Sequence, residues 1–188
     1  MADMKLSELY SKHYNHKKGW PDKGTTHSYI EVYEELLKPY RTKAKNILEI
    51  GLMSGESLRM WTEYFSGDVH GIDCSETPVD GLADLRPALA EGILKIWIGD
   101  ASDPATIEKY FKGIKFDVVI EDASHDVEQQ LKIYSILKDY MAEGGIYIIE
   151  DVQDIDKTRH LFWPEGEIVD RRSIKHRYDD CLIIMRHK

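Results

Sequence analysis

The sequence predicts a doubly wound α/β fold on a mostly parallel sheet. Three observations carry this. Short apolar runs recur at residues 46–51, 69–73, 93–98, 116–120 and 146–149. The segments between them carry apolar residues at helical spacing or break up into loop. The two closing runs, 166–172 and 180–186, have no long helix between them. The first five strands are therefore expected to be parallel, and the last of seven antiparallel, with helices on both faces.

The bulk numbers allow one such domain. The chain has 188 residues, 42% hydrophobic and 31% charged, as ordinary globular proteins are. No apolar run approaches the roughly 18 residues that a membrane helix needs. Residues 1–18 are polar with no secretory core, so a cytoplasmic protein away from membranes is expected. Cys74 and Cys181 set up no disulfide framework and are expected reduced and partly buried. A net charge of -9 argues against nucleic acid as partner. The basic cluster Arg171, Arg172, Lys175 and Arg177 reads as a solvated loop.

Taken in order, residues 3–14 predict a short amphipathic helix with Leu6, Leu9 and Tyr10 together. Residues 15–26 read as a loop, and a helix follows over 29–37 before Pro39. These first 43 residues form a helical or lid segment, and residues 44–188 the main domain. Strand 46–51 turns at Leu52 to Gly55 into helix 56–65, with Leu58, Trp61 and Phe65 inward. Strand 69–73 ends on Asp73. The 75–89 connection holds Pro78, Gly81 and Pro87, so a short helix within loop is expected. Strand 93–98 closes at Asp100, and Pro104 opens a helix to Phe111. Strand 116–120 leads to a helix over 127–141 carrying Leu131, Tyr134, Ile136, Leu137 and Met141. Gly144 and Gly145 turn the chain into strand 146–149. A short helix or lid is expected at 154–162, and Ser173 to Asp179 join the last two strands as a hairpin.

Chemistry collects at strand ends, where open α/β sheets bind ligands. Glu49-Ile50-Gly51-Leu52-Met53-Ser54-Gly55 runs from strand through turn to helix and lets a nucleotide approach the backbone. It lacks the three-glycine fingerprint, because Met53 stands where a second glycine would be. Asp73 lies about 20 residues further on, placed to accept ribose hydroxyls. Asp100 can reach the adenine end of the same ligand. Strand 116–120 empties into Glu121-Asp122-Ala123-Ser124-His125, and strand 146–149 into Glu150-Asp151. As neighbours, these two ends bring Asp122, His125, Glu150 and Asp151 into one crevice. The plainer alternatives are a helix N-terminal acid with a capped imidazole for Asp122 and His125, and a helix cap for Glu150-Asp151.

This combination resembles the class I S-adenosylmethionine-dependent methyltransferases over about residues 44–188, which implies their Rossmann-like seven-stranded sheet. A narrower resemblance rests on Asp22-Lys23-Gly24 with His27 and Tyr29, on Ser57-Leu58-Arg59-Met60-Trp61, and on Gly99-Asp100, Asp122-Ala123-Ser124-His125 and Glu150-Asp151. It is to the macrocin and mycinamicin sugar O-methyltransferases and the cephalosporin hydroxylase-like proteins. That likeness implies Mg²⁺ held by Asp122, Glu150 and Asp151, with His125 as general base. It implies S-adenosylmethionine as donor, S-adenosylhomocysteine as product, and assembly into homo-oligomers. The donor contacts it implies are Lys23, Tyr29, Glu49, Gly51, Met53, Ser54, Ser57, Asp73, Asp100, Ala101 and Asp122, with Lys23 near the donor carboxylate. Two departures stand out. Glu121-Asp122-Ala123 replaces the family's usual Asp-Asp-Gly, and the amino-terminal extension of the macrolide enzymes is not expected.

The chemistry agrees. A hydroxyl is a poor nucleophile at neutral pH, and a hard divalent cation on carboxylates lowers its pKa and orients it. A histidine with an ordinary pKa of about 6.5 suits the proton transfer. The expected function is methyl transfer to a hydroxyl of a small molecule or saccharide. The alternatives are a non-catalytic donor-binding module and a nucleotide-dependent oxidoreductase on a similar sheet. Glu121 is expected close enough to compete for the ion.

Overall fold

The computed structural model describes residues 4–14, 16, 21–75, 82–162 and 166–188. The start of the first predicted helix, parts of the 15–26 loop and residues 76–81 of the broken connection lie outside the described residues. Seven strands, β1 (Asn46–Ile50), β2 (Asp68–Asp73), β3 (Leu94–Ile98), β4 (Phe116–Glu121), β5 (Met141–Ile149), β6 (Gly166–Asp170) and β7 (Cys181–Arg186), form a sheet in the order β3-β2-β1-β4-β5-β7-β6. The first five run parallel, and β7 pairs antiparallel with both β5 and β6. This is the predicted topology.

Both faces of the sheet are buried, which is why its strands read as near-continuous apolar runs. Along β4, Val118 and Ile120 enter one core and Val119 the other. The first core also takes Leu6 and Leu9 of α1 (Leu6–His13), Tyr33 and Leu37 of α2 (Ile30–Leu37), and Leu58 and Trp61 of α3 (Glu56–Tyr64). The first helices thus share a core with the sheet. Glu34 joins them, its Oε2 accepting from the Leu6 amide at 2.6 Å. The second core takes Ile107 and Phe111 of α5 (Pro104–Phe111) and Ile133 and Leu137 of α6 (Val127–Leu137). No helix among the described residues is long and apolar enough to cross a membrane.

Several expectations are corrected. Helix α6 stops at Leu137, a short 3-10 turn follows, and Met141 opens β5 opposite Phe116. Gly144 and Gly145 lie inside that strand, bonded to His187, where the register against β4 shifts. The connection before β3 carries a nine-residue helix, α4 (Leu82–Ala90), with Pro87 inside it. β6 and β7 do form the expected hairpin, but the link between them contains a helical turn, α8 (Arg172–Lys175). Cys181 is buried, but Cys74 is exposed. The short helix expected at 154–162 is present as α7 (Ile155–Thr158) followed by a 3-10 turn.

Candidate active site

Strand order reverses between β1 and β4, so their carboxyl ends splay around a crevice. Backbone bonds continue past the strand ends and hold the loops in register. The Asp122 amide donates to Ile50 O at 2.9 Å, and the Glu150 amide to Glu121 O at 2.9 Å. A cavity of about 480 Å³ opens there, lined by the turns that follow β1 to β4. Gly51, Met53, Ser54, Asp73, Asp100, Ala101 and Asp122 all line it. Asp73 Oδ2 accepts from the Leu52 amide at 2.8 Å, which ties the end of β2 to the turn after β1.

Gly51 has a φ of 85°, and a β-carbon there would stand 2.1 Å from the carbonyl oxygen of Asp122. The close approach that requires glycine is therefore made by the chain itself, between the ends of β1 and β4. Met53 adopts a φ of 43° and is exposed, so position 53 needs no glycine, while Gly55 takes a φ of 78° just before α3.

Four of the residues expected at the donor do not line this cavity. Tyr29 and Glu49 line neither this cavity nor the small crevice beside it, whereas Lys23 and Ser57 line that crevice. Ser57 Oγ donates to Glu49 Oε2 at 2.8 Å, and Tyr29 Oη to Asp151 Oδ1 at 2.7 Å. Lys23 is fully buried, and its ammonium meets Asp122 Oδ2 at 2.7 Å, Glu150 Oε1 at 2.5 Å and Glu49 Oε1 at 3.6 Å. Its charge is spent on carboxylates of the chain, not held out to a donor carboxylate. Burial alone would lower the lysine's pKa, but Asp122, Glu150 and Glu49 outweigh it and hold the amine well above the ordinary range.

Asp122, which lines this cavity, meets His125 and Asp151. His125 Nε2 lies 3.2 Å from Asp122 Oδ1 and 3.6 Å from Asp151 Oδ2. One ligand atom from each of the three can be chosen so that all lie within 4.8 Å of one another. Glu150 stays out of this group. His125 and Asp151 both take left-handed backbone, at φ of 56° and 54°. Non-glycine residues rarely do so, and such strain tends to concentrate at functional sites. The helix caps are different residues. Asp126 Oδ1 caps α6 by accepting from the Gln129 amide at 3.0 Å, and Asp154 precedes α7. The pKa shifts follow the packing. The Asp122 hydrogen bond raises His125 above its usual range, and burial with the charge of Asp122 pushes Asp151 up to about 7. Burial opposes ionisation of Asp122, yet Lys23 and His125 hold its carboxyl below the usual value.

Glu121 takes no part in the group. It alternates with Ile120 along β4, and neither of its buried carboxylate oxygens has a hydrogen-bond partner among the described residues. Burial pushes it up to about 8.

A family model described as a methyltransferase domain matches residues 48–152, which spans the turn after β1 through the end of β5. The chain belongs to this methyltransferase domain family. It is similar to the 8-demethyl-8-alpha-L-rhamnosyl tetracenomycin-C 2'-O-methyltransferase of Streptomyces olivaceus, 31% identical over 76% of this chain and 36% of that protein. It is likewise similar to the demethylmacrocin O-methyltransferase of Streptomyces fradiae, 31% identical over 85% of this chain and 38% of that one. Among solved structures it resembles MycE methyltransferase from the mycinamycin biosynthetic pathway, in complex with Mg, SAH and mycinamycin VI. There the TM-score is 0.62 at 27% identity, over 86% of this chain and 39% of the other. The chain spans a little over a third of the length of these curated relatives.

In this methyltransferase domain several site residues escaped the sequence reading. Tyr33 Oη donates to Glu150 Oε1 at 2.6 Å. Its spacing of four from Tyr29 was the available signal, because the pair shares one face of the helix. Asp22 and His27 form a second acidic grouping with Asp151. The basic cluster is a clamp, not a solvated loop. Lys175 Nζ donates to Gly24 O at 2.6 Å and Thr25 O at 2.5 Å, and Arg171 Nε to Ser28 Oγ at 3.1 Å. Arg172 pairs with Asp156 and Asp170. Lys175 and Arg171 find these partners in segments far along the chain, which charge clustering in sequence cannot reveal.

Proposed function

We propose that this protein transfers a methyl group from S-adenosylmethionine to a hydroxyl oxygen of a small molecule or saccharide, with Mg²⁺ bound at Asp122 and Asp151 and His125 as general base. The observation that carries the reading is the convergence of Asp122, His125 and Asp151 beside the cavity at the β1–β4 switch point. The donor set suits a hard cation, since Mg²⁺ is held by one or two carboxylates and keeps its remaining positions for water and substrate oxygens. Local charge argues the same way. Glu49, Asp122 and Glu150 share the single ammonium of Lys23, and Asp151 adds a further buried carboxyl. A bound divalent ion would supply Lewis acidity to the acceptor hydroxyl.

The chain's own residues do the rest. Asp73 accepts the ribose hydroxyls of the donor, and Asp100 lies toward the adenine. The turn Gly51 to Ser54 carries the methionine end beside Asp122. His125 takes the hydroxyl proton on Nε2, the atom that faces both carboxylates. Those carboxylates favour its protonated form, so positive charge beside them frees the imidazole to act as base. The sugar O-methyltransferases among the relatives support a saccharide acceptor.

The test is a methylation assay over a panel of saccharides and catechols, read by mass. Chelation of divalent ions and Asp151→Asn should each remove turnover while S-adenosylhomocysteine still binds. His125→Ala should lower the rate by roughly 10²–10⁴. Full turnover in chelator would overturn the metal's role, and an unaffected His125→Ala rate would remove the base.

A further inference from the structure

Two phenols from one helix reach the carboxylates that follow β5. Tyr29 stands at the amino-terminal cap of α2 and Tyr33 about one turn further on, so both rings leave the same face. Tyr29 Oη donates to Asp151 Oδ1 at 2.7 Å, and Tyr33 Oη to Glu150 Oε1 at 2.6 Å. Both are short, as hydroxyl-to-carboxylate bonds are. Tyr29 Oη also lies 3.1 Å from Asp179 O and 3.4 Å from Cys181 O, but a hydroxyl has one proton to give and Asp151 is its nearest acceptor.

Packing fixes the rings. Both tyrosines are fully buried. Tyr29 stacks on His27 with ring centroids 5.0 Å apart, and Tyr33 meets Tyr29 and Trp61 edge-on at 6.4 and 5.7 Å. The Tyr29 amide donates to Lys23 O at 2.8 Å and the Tyr33 amide to Tyr29 O at 2.8 Å, which anchors the start of the helix. A phenol held on a packed helix is a fixed donor, and a carboxylate bonded to it at one oxygen keeps the direction of the other. For Asp151 that other oxygen is Oδ2, 3.6 Å from His125 Nε2 in the group that Asp122 completes. For Glu150, Tyr33 and Lys23 share Oε1, and no hydrogen bond among the described residues engages Oε2.

We infer that Tyr29 and Tyr33 are positioning residues, a pair of phenols on α2 that aims the carboxylates of Glu150 and Asp151 at the metal. The inference rests on the proposed metal site. It gives the amino-terminal segment, which lies before the matched residues 48–152, a part in the chemistry. Its physical content is preorganisation. Removing a hydroxyl frees one carboxylate oxygen and leaves the group able to rotate, so the ion must order it on binding.

The experiment is Mn²⁺ titration of the full chain, free ion read by electron paramagnetic resonance and fold checked by circular dichroism. Tyr29→Phe should weaken Mn²⁺ binding by about 10–100-fold, as loss of a group that orients a ligand does, and Tyr33→Phe by about tenfold. S-adenosylhomocysteine binding should keep its wild-type value in both, because neither tyrosine lines the donor cavity. That split is the diagnostic, since a merely structural role would move both affinities or neither. Tyr147→Phe is the control. It removes another buried hydroxyl, on β5 and without a hydrogen-bond partner among the described residues, and should leave Mn²⁺ binding unchanged. Phenylalanine variants that fold and bind Mn²⁺ as tightly as wild type overturn the inference, and so do variants that lose Mn²⁺ and the nucleoside in step. Each variant decides for its own carboxylate, so one that fails to fold leaves the other as the test. Wild-type protein that binds no Mn²⁺ would sink the metal reading of the function together with the inference, whereas wild-type binding matched by both variants sinks the inference alone.

Discussion

Replacing Gly51 with alanine loads the junction between the donor turn and Asp122. Two effects add. At a φ of 85° the new side chain sits in left-handed backbone, a cost of about 1–2 kcal/mol. Its Cβ would also lie 2.1 Å from the Asp122 carbonyl oxygen and 2.9 Å from the Ala123 Cα. Carbon–oxygen contact needs roughly 1 Å more than the first distance, so the Asp122 backbone must retreat. That strains the bond from the Asp122 amide to Ile50 O, worth about 1 kcal/mol. The sum is about 2–4 kcal/mol, or a fall in Tm of about 5–15 °C for a chain of this size. Gly113 supplies the control. Its φ is 80°, and a β-carbon there would meet nothing within 4 Å, so Gly113→Ala should show the backbone strain alone. Thermal unfolding and calorimetric S-adenosylhomocysteine binding give the readout. Gly51→Ala should melt lower than Gly113→Ala and bind the nucleoside at least about tenfold more weakly, since Asp122 lines the same cavity. Equal melting temperatures and unchanged binding in both variants would refute the steric argument.

Two further outcomes are expected. Asp73→Ala should weaken S-adenosylhomocysteine binding by about 10–100-fold, the loss of hydrogen bonds to a charged group, and a dissociation constant unchanged by calorimetry would mean that the ribose is held elsewhere. His70 is buried against Phe111 and Phe116 with neither ring nitrogen bonded among the described residues, and burial lowers its pKa to about 4. The unfolded chain takes up this proton near pH 6.5 and the folded chain only near pH 4, so the stability His70 confers is lost as pH falls through that window. The span corresponds to about 3 kcal/mol. Urea unfolding of wild type and His70→Leu at pH 7 and pH 4 measures it, and equal acid losses in the two proteins would contradict the assignment.

Much of the fold was legible because burial on both faces makes each inner strand a compact apolar word. Val118 to Ile120 and Ile146 to Ile149 are such words, and the acids that end them mark the rim of the sheet. Pro104 marked the start of α5 just as clearly, and the structure adds the cap before it, Asp103, whose Oδ1 accepts from the Ala105 amide at 3.1 Å. The end of α6 was not legible. Leu137 and Met141 are four apart, as on one helix face, yet Met141 is drawn into β5 by pairing with Phe116. That pairing is a non-local gain which helical spacing cannot register.

The sequence by itself determined the mostly parallel sheet and put Asp122, His125, Glu150 and Asp151 at the ends of two strands, because strand periodicity and the order of elements place strand ends without reference to side-chain contacts. Only the tertiary structure decided how the charges there are shared. Lys23 lies 99 residues from Asp122 and 127 from Glu150 in the chain. It neutralises them only once α2 docks on the sheet and the Lys175 clamp closes the loop before it. Which carboxylate faces a lysine and which faces the crevice depends on side-chain direction at distances of a few ångströms, and no one-dimensional pattern carries that information.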